Sequence, residues 1–407
     1  MKKPYDSVIV GAGIVGLATA YQLILKNPGL SLCIIEKEER VGAHQSTHNS
    51  GVLHAGLYYK PGSQKARLSV SGIRQMVQFC ERYDIPHEIC GKLVVATDES
   101  EKARLEKLLE RGQANGLKGL KWLGPDAMRE IEPNVAGVAA IRVPEEGIVD
   151  YQAVVLKLAE LLNELGVTIS LGTSFVKATE EGQNLVIQTN KGAFYTKRMI
   201  SCGGLYSDRI VQNSNLRPTA RIIPFRGEYY VLREDKRSLV NHLIYPVPDP
   251  KFPFLGVHFT RLIHGGVEAG PNAVLAVSRE GYSWKDLNVK DLMASLTFPG
   301  LWRFIRKYPG MCAYEVYRSL SKSEFARSLQ KLVPAIEKED LLPGGAGVRA
   351  QAMYSDGALV DDFHFAEAPN MLHVVNAPSP AATAALAIGE TIAERFMSTI
   401  QNKKTTI

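Results

Sequence analysis

"DSVIVGAGIVGLATAYQLILK", Asp6 to Lys26, reads as a short apolar strand, a glycine turn and a helix. "SVIV" is uncharged and β-branched, and Leu17, Ala20, Tyr21 and Leu25 return at helical intervals. Between them Gly11, Gly13 and Gly16 stand at the G-x-G-x-x-G spacing. A phosphate-binding turn needs glycine at each place for a different reason: a sharp turn, close approach of backbone to a pyrophosphate, and tight packing of helix on strand. The helix start then offers unpaired N–H groups and a positive dipole end. A glycine triplet alone is weak. Here "SLCIIEK" (Ser31 to Lys37) comes next as a second strand and carries Glu36, twenty residues beyond Gly16, where an acid can accept hydrogen bonds from a ribose. The unit therefore binds the ADP half of a dinucleotide. The nineteen uncharged residues from Ser7 to Leu25 have the length of a membrane span, but the glycine pattern accounts for them better.

The segment beyond Glu36 separates FAD from NAD. A nicotinamide-binding domain would run on into further β-α units. Instead "QSTHNSGVLHAGLYY", Gln45 to Tyr59, has neither helical nor strand periodicity and is dense in hydrogen-bonding side chains. Such a strip suits the length of an extended cofactor, with Thr47, Asn49, Ser50 and the Gly51 backbone as contacts. FAD is the expected cofactor, and a solvated loop is the plainer alternative.

The rest of the chain alternates between two architectures. Gln64–Tyr83 has an amphipathic helical pattern, "CGKLVVATD" is strand-like, and Glu99–Gly112 reads as a charged surface helix. Asp150 is placed to cap a helix bearing Val154, Val155, Leu158, Leu161 and Leu162, ended by Gly166, after which "VTISLGTSFVKA" supplies strands. "RMISCGGLYSDRIV" repeats the strand–glycine–helix logic at Gly203 and Gly204. From Pro224 to about Pro309 short β-rich runs broken by Pro and Gly suit an antiparallel sheet. "GAGVRAQ" reads as a glycine-rich loop. After "LHVVNAPSP" a small-residue helix is expected near Ala381, where Ala381, Ala382 and Thr383 leave room for a flat ring; "QNKKTTI" reads as a loose tail. The expected fold is α/β: a discontinuous Rossmann-like FAD-binding domain (1–85, 146–215 and 341–407) with an α+β substrate domain on a mainly antiparallel sheet (86–145 and 216–340). Lys37, Ser46, Val176 and Cys202 complete the expected cofactor contacts.

Composition narrows the function. The 407 residues carry 48 Lys+Arg against 42 Asp+Glu, a spread excess that favours anionic small molecules or an anionic membrane surface and falls short of a nucleic-acid footprint. The five cysteines, Cys33, Cys80, Cys90, Cys202 and Cys312, form no Cys-x-x-Cys pair. A reducing, cytoplasmic compartment without a metal site is expected.

The motifs "HNSGVLHAGLYYKPGS", "CGKLVVA", "GIVDY", "CGGLYSDRI", "RIIPFRGEYY", "YPVPDPKFPFLGVHFT", "GPNAVLAVSREGY", "GAGVRAQA", "LVDDF" and "NAPSPAATA" run from near Val8 to Glu390. With them the chain resembles the D-amino-acid-oxidase-like FAD oxidoreductases, and more narrowly the L-2-hydroxyglutarate dehydrogenase/oxidase family. The resemblance implies oxidation of L-2-hydroxyglutarate to 2-oxoglutarate, a metabolite-repair reaction, with FAD taking the hydride. It implies electrons passed to a quinone, another respiratory acceptor or oxygen, and peripheral contact with the cytoplasmic face of the inner membrane. Rival readings are an amine- or amino-acid-oxidising flavoenzyme, a glycerol-3-phosphate dehydrogenase and a non-catalytic flavoprotein.

The chemistry asks for cations to hold a dicarboxylate and a base for the hydroxyl proton. Arg349 and Arg226 are candidates for the first, since the planar guanidinium pairs bidentately with a carboxylate; a structural ion pair is the competing use. His258 and His54 are candidates for the base, with His258 preferred by the resemblance. Tyr245 and Lys60 are offered for the distal carboxylate.

Overall fold

The computed structural model describes residues 3–249 and 256–404, so part of "YPVPDPKFPFLGVHFT" and the last three residues of the chain lie outside the described residues. The first strand, Ser7–Val10, is buried along its whole length because parallel neighbours flank it: Val8 lies beside Met199 on one side and Cys33 on the other. The complete sheet runs His364–Ala368, Met371–Asn376, Met199–Ser201, Ser7–Val10, Leu32–Ile35, Thr168–Ser170. Only its first pair is antiparallel. Helices cover it, Ile14–Lys26 lying against the C-terminal helix Ala385–Lys404 and against Tyr151–Glu164. The last of these starts as the sequence implies, with Asp150 Oδ1 accepting from the Ala153 N–H at 2.9 Å.

A nine-stranded sheet stands opposite, in the order Val274–Leu275, Arg221–Leu232, Val267–Gly270, His258–Arg261, Leu243–Pro246, Lys92–Ala96, Ala139–Val143, Lys121–Leu123, with Leu341–Met353 also paired to Arg221–Leu232. Every pairing in it is antiparallel except that of Leu243–Pro246 with Lys92–Ala96. A core of Phe259, Phe325, Leu329 and Val333 joins this sheet to the helix Lys322–Gln330. Two short smaller sheets complete the fold, one of them built from Val52–Leu53, Gly147–Val149 and His87–Glu88.

Four local expectations are corrected. The β-rich reading to Pro309 ends early, because Val289–Leu296 and Pro299–Lys307 are helices. Asn288 Oδ1 caps the first through the Asp291 N–H at 3.1 Å, and Pro299 occupies a first-turn position of the second, where a missing N–H costs nothing. "GAGVRAQ" is strand, with Gly347 opposite Gly227 and Arg349 opposite Phe225. Its second glycine signals close approach, for a Cβ at Gly347 would strike the His48 carbonyl. Residues 380–384 form turns and the regular helix begins at Ala385; that helix runs to Lys404, through the first residues of the expected tail.

Candidate active site

A cavity of ≈ 1260 Å³ runs from the first glycine turn to the face of the large sheet. That exceeds the ~300–1,000 Å³ of ordinary small-molecule pockets and leaves room for a dinucleotide together with a substrate. At one end Gly11, Gly13, Glu36, Lys37, Ser46, Asn49, Ser50, Cys202, Gly203 and Gly204 line it, and Ala381, Ala382 and Thr383 line it further along. Gly16 does not line it. A Cβ there would drive into the Gly11 carbonyl, so its glycine serves helix–strand packing, as the fingerprint requires. Glu36 is fixed by two backbone donors, Ala12 N–H at 2.8 Å and Glu38 N–H at 3.0 Å. Ser46 Oγ accepts from the Ile14 N–H at 2.9 Å, and Gly13 brings no capping side chain of its own. These residues fit FAD: a helix start without a capping side chain of its own, a glycine cradle and a half-buried acid at the ribose position. Lys37 sits between Glu38 and Glu280, with His44 Nε2 at 2.9 Å.

Gly11 is the most constrained point of the cradle. Its φ is +106°, and a Cβ would lie 2.6 Å from the Cys202 carbonyl oxygen. Gly11→Ala combines backbone strain of about 1–3 kcal/mol with that clash. At 1.4 kcal/mol per tenfold, FAD affinity is expected to fall by roughly 10- to 100-fold. Flavin absorbance per mole of purified protein measures it; full occupancy would contradict the assignment.

Several expected contacts lie elsewhere. Thr47 Oγ1 donates to the Gly42 carbonyl at 2.7 Å, and Gly51, at φ +67°, donates its N–H to Asn49 Oδ1; neither lines the cavity. Val176 is 48% exposed, and Thr173, Ser174 and Phe175 line the wall instead. Lys60 is exposed and outside the cavity, whereas Lys65 lines it with its ammonium 4.5 Å from the Tyr59 ring centroid. Arg226 is fully buried but also outside the lining: its guanidinium forks onto Glu228, with Nη2 at 2.6 Å, and lies 4.4 Å from the Trp284 ring. That contact is the ion pair that competed with substrate binding as a reading of the sequence.

The far end brings together His54, Tyr58, Tyr59, Tyr229, Tyr245, His258 and Arg349. Tyr245 and His258 stack with centroids 3.7 Å apart, and His54 meets Tyr245 edge-on at 6.3 Å. His258 Nδ1 lies 2.9 Å from the Gly256 carbonyl oxygen. Burial, with Lys92, His54 and Arg349 nearby, holds the His258 imidazole down at about 3. Burial and then Lys92 lower His54 as well. Both rings are therefore neutral at neutral pH. The Tyr58 hydroxyl is buried with no hydrogen-bond partner among the described residues.

Behind His54 lies a pair that sequence reasoning missed, Lys92 and Glu146, both side chains wholly buried and in contact. A lysine opening the apolar run "KLVVA" was its available signal. Thr383 ties the last turn to this region: its Oγ1 is 2.7 Å from the Tyr151 hydroxyl, donates to the Val52 carbonyl at 3.2 Å and accepts from the His54 N–H at 3.2 Å.

A glycine-cradled helix start on a parallel sheet, opening into a cleft that holds imidazoles and Arg349 against an antiparallel sheet, defines an FAD-dependent oxidoreductase. The family model described as FAD dependent oxidoreductase matches residues 6–395. The chain is 49% identical to the L-2-hydroxyglutarate dehydrogenase of Indibacter alkaliphilus over 96% of this chain and 98% of that protein. It is 44% identical to that of Escherichia coli, over 98% and 94%. It is 46% identical to the mitochondrial one of Nematostella vectensis, over 96% and 90%. The chain belongs to the L-2-hydroxyglutarate dehydrogenase family, and its cofactor is FAD. Among solved structures, the FAD-bound L-alpha-glycerophosphate oxidase of Mycoplasma pneumoniae matches with TM-score 0.77 at 23% identity, covering 97% of this chain and 95% of that one. Glycine oxidase of Geobacillus kaustophilus matches with 0.71 at 18%, covering 96% and 95%. These two likenesses show the fold.

Proposed function

We propose that this protein oxidises L-2-hydroxyglutarate to 2-oxoglutarate. The observation that carries the reading is the meeting of Arg349 with two neutral imidazoles at one end of a cavity whose other end fits an ADP moiety. FAD, when bound, supplies the hydride acceptor for the C2 hydrogen. Arg349 pairs with the carboxylate beside C2, since a guanidinium offers two parallel donors. His258 takes the hydroxyl proton: a carbonyl can only accept, so Nδ1 carries the hydrogen toward Gly256 and Nε2 keeps its lone pair. The substrate's two negative charges raise the proton affinity of that imidazole, so base strength appears when the substrate is seated. Tyr58, Tyr245 and Lys65 are the groups for the distal carboxylate.

Anaerobic addition of L-2-hydroxyglutarate to the purified holoenzyme should bleach the visible flavin band and form 2-oxoglutarate, and the D enantiomer should not. A protein that stays oxidised with both, yet bleaches with glutamate, glycine or sarcosine, would be an amine oxidase.

The electrons pass to a membrane quinone, from a peripheral position on the cytoplasmic face. Five free cysteines support a reducing compartment, and among the described residues no helix is long and apolar enough to cross a membrane. Support for a contact face lies between residues 284 and 320, where Trp284, Leu287, Val289, Met293, Trp302, Val316, Tyr317 and Leu320 are all exposed. Lys285, Lys290, Arg303, Arg306 and Lys307 are exposed in the same segment. Apolar and cationic side chains together suit an anionic bilayer surface. Co-sedimentation with phosphatidylglycerol vesicles is expected, weakened several-fold by Trp302→Ser with Leu320→Ser. Equal recovery with the variant would rule out this face.

A further inference from the structure

The cleft presents two histidines, and the groups behind them make the two chemically different. Lys92 and Glu146 form an ion pair with no exposure of either side chain. Burial works against both charges. It lowers Lys92, whereas on Glu146 its upward push is overridden by Lys92, leaving the carboxyl at about 2. Such pairs are costly to bury and add little net stability, so a position directly behind a reaction cleft calls for another reason. The pair is also anchored: Glu146 Oε1 accepts from the Ala55 N–H at 3.0 Å, fixing the carboxylate to the residue next to His54.

The ammonium touches three members of the cleft. Lys92 Nζ is 3.3 Å from His54 Nδ1, 4.0 Å from the centroid of the Tyr245 ring and 5.5 Å from that of Tyr58. The nearest Glu146 oxygen is farther from the same His54 nitrogen, at 3.8 Å. An ammonium has three donors and no lone pair. His54 Nδ1 thus faces two groups, the Lys92 ammonium, from which it can only accept, and the Glu146 carboxylate, to which it would donate; the shorter distance to Lys92 assigns the ring hydrogen to Nε2. His258 is opposite in sense, since Gly256 requires its hydrogen on Nδ1.

We propose that Lys92, held by Glu146, is a positioning residue that fixes His54 as an Nε2–H donor and leaves His258 as the single base. This rests on the reaction proposed above. His54 then donates a hydrogen bond to a substrate oxygen, and the hydroxyl proton moves to His258 Nε2 without a competing acceptor. The charged and titratable groups facing the two rings are Lys92 from the strand Lys92–Ala96, Glu146 from the turn after Ala139–Val143, and Tyr58 and Tyr59 from the segment after Val52–Leu53. Tyr245, Tyr229 and Arg349 face them from strands of the large sheet.

The test is histidine-selective nitrogen-15 labelling of the holoenzyme, with two-bond proton–nitrogen correlations at neutral pH and the two rings assigned through His54→Gln and His258→Gln. The expected result is Nε2–H for His54 and Nδ1–H for His258. In Lys92→Met the uncompensated Glu146 carboxylate draws a proton to His54 Nδ1. The neutral ring is then Nδ1–H and lacks the Nε2 donor, kcat falls by about 10²-fold, and kcat/KM gains an alkaline limb near neutral pH, where the imidazolium loses its second proton. Lys92→Arg keeps a donor and a charge there, and should keep the wild-type tautomer and a flat profile. A pair with a merely structural task would lower thermal stability and FAD content in Lys92→Met and leave the tautomers unchanged. A wild-type His54 found as Nδ1–H or as imidazolium overturns the proposal, even if Lys92→Met fails to fold. The tautomers are read without substrate, so this outcome is separate from whether L-2-hydroxyglutarate reduces the flavin.

Discussion

Arg349→Met is expected to lower kcat/KM for L-2-hydroxyglutarate by roughly 10²- to 10³-fold while the purified protein stays yellow. Arg349 lies on the long strand Leu341–Met353, opposite Phe225, and lines the cleft at the end away from the glycine turn. Its charge is felt at the Tyr229 hydroxyl and the His258 ring, which line the same end of the cleft. Losing one partner of a buried charge pair costs about 2–5 kcal/mol, and each 1.4 kcal/mol is tenfold. Met keeps much of the side-chain length and removes the fork. The loss should fall on KM and kcat together, because the same carboxylate contact both holds the substrate and aims C2. Lys in its place should recover only part, since a point charge cannot pair bidentately. Steady-state kinetics beside a flavin spectrum measures this; wild-type kcat/KM in Arg349→Met would remove the residue from the site.

His258→Gln is expected to cost about 10²- to 10⁴-fold in kcat, the range of a lost general base. The amide preserves size and can still bond Gly256, but it takes up no proton. The pH dependence gives a sharper check. The free enzyme's kcat/KM reports its own essential groups, and burial holds His258 at about 3. Over about pH 5–8 the neutral form is fully present, so kcat/KM should show no acid limb from this histidine. A limb centred near the ordinary histidine value would instead point to a more exposed ring as the base. The same depression bears on stability. Unfolding frees the ring to bind a proton at its ordinary value, so the stabilising contribution of neutral His258 is complete above about pH 6.5. It is lost progressively as pH falls toward 3.

How much of this was legible in the sequence depended on whether a feature is local. The glycine turn, Glu36, the Asp150 cap and the helix from Gln64 were readable because each is decided within a few residues. The helices after Asn288 were missed because their short amphipathic repeats sit among Pro and Gly that also punctuate strands. Arg226 and Arg349 look alike in sequence, each in a glycine-containing run. Only strand pairing sends one into a network with Glu228 and the other to the cleft. Lys60 and Lys65 separate only in the fold, one left in solvent and the other, in the first turn of the helix from Gln64, turned over Tyr59.

By itself the sequence determined the class of protein, its cofactor and the family, because phosphate and ring binding are written in contiguous motifs whose geometry comes from backbone alone. The pair behind His54 was decided only by tertiary structure. Lys92 and Glu146 are far apart in the chain, and strand, turn and sheet must close before an ammonium, a carboxylate and an imidazole share one buried space. Electrostatics in a low-dielectric interior depend on such separations and on the exclusion of water, and neither is a property of a linear motif.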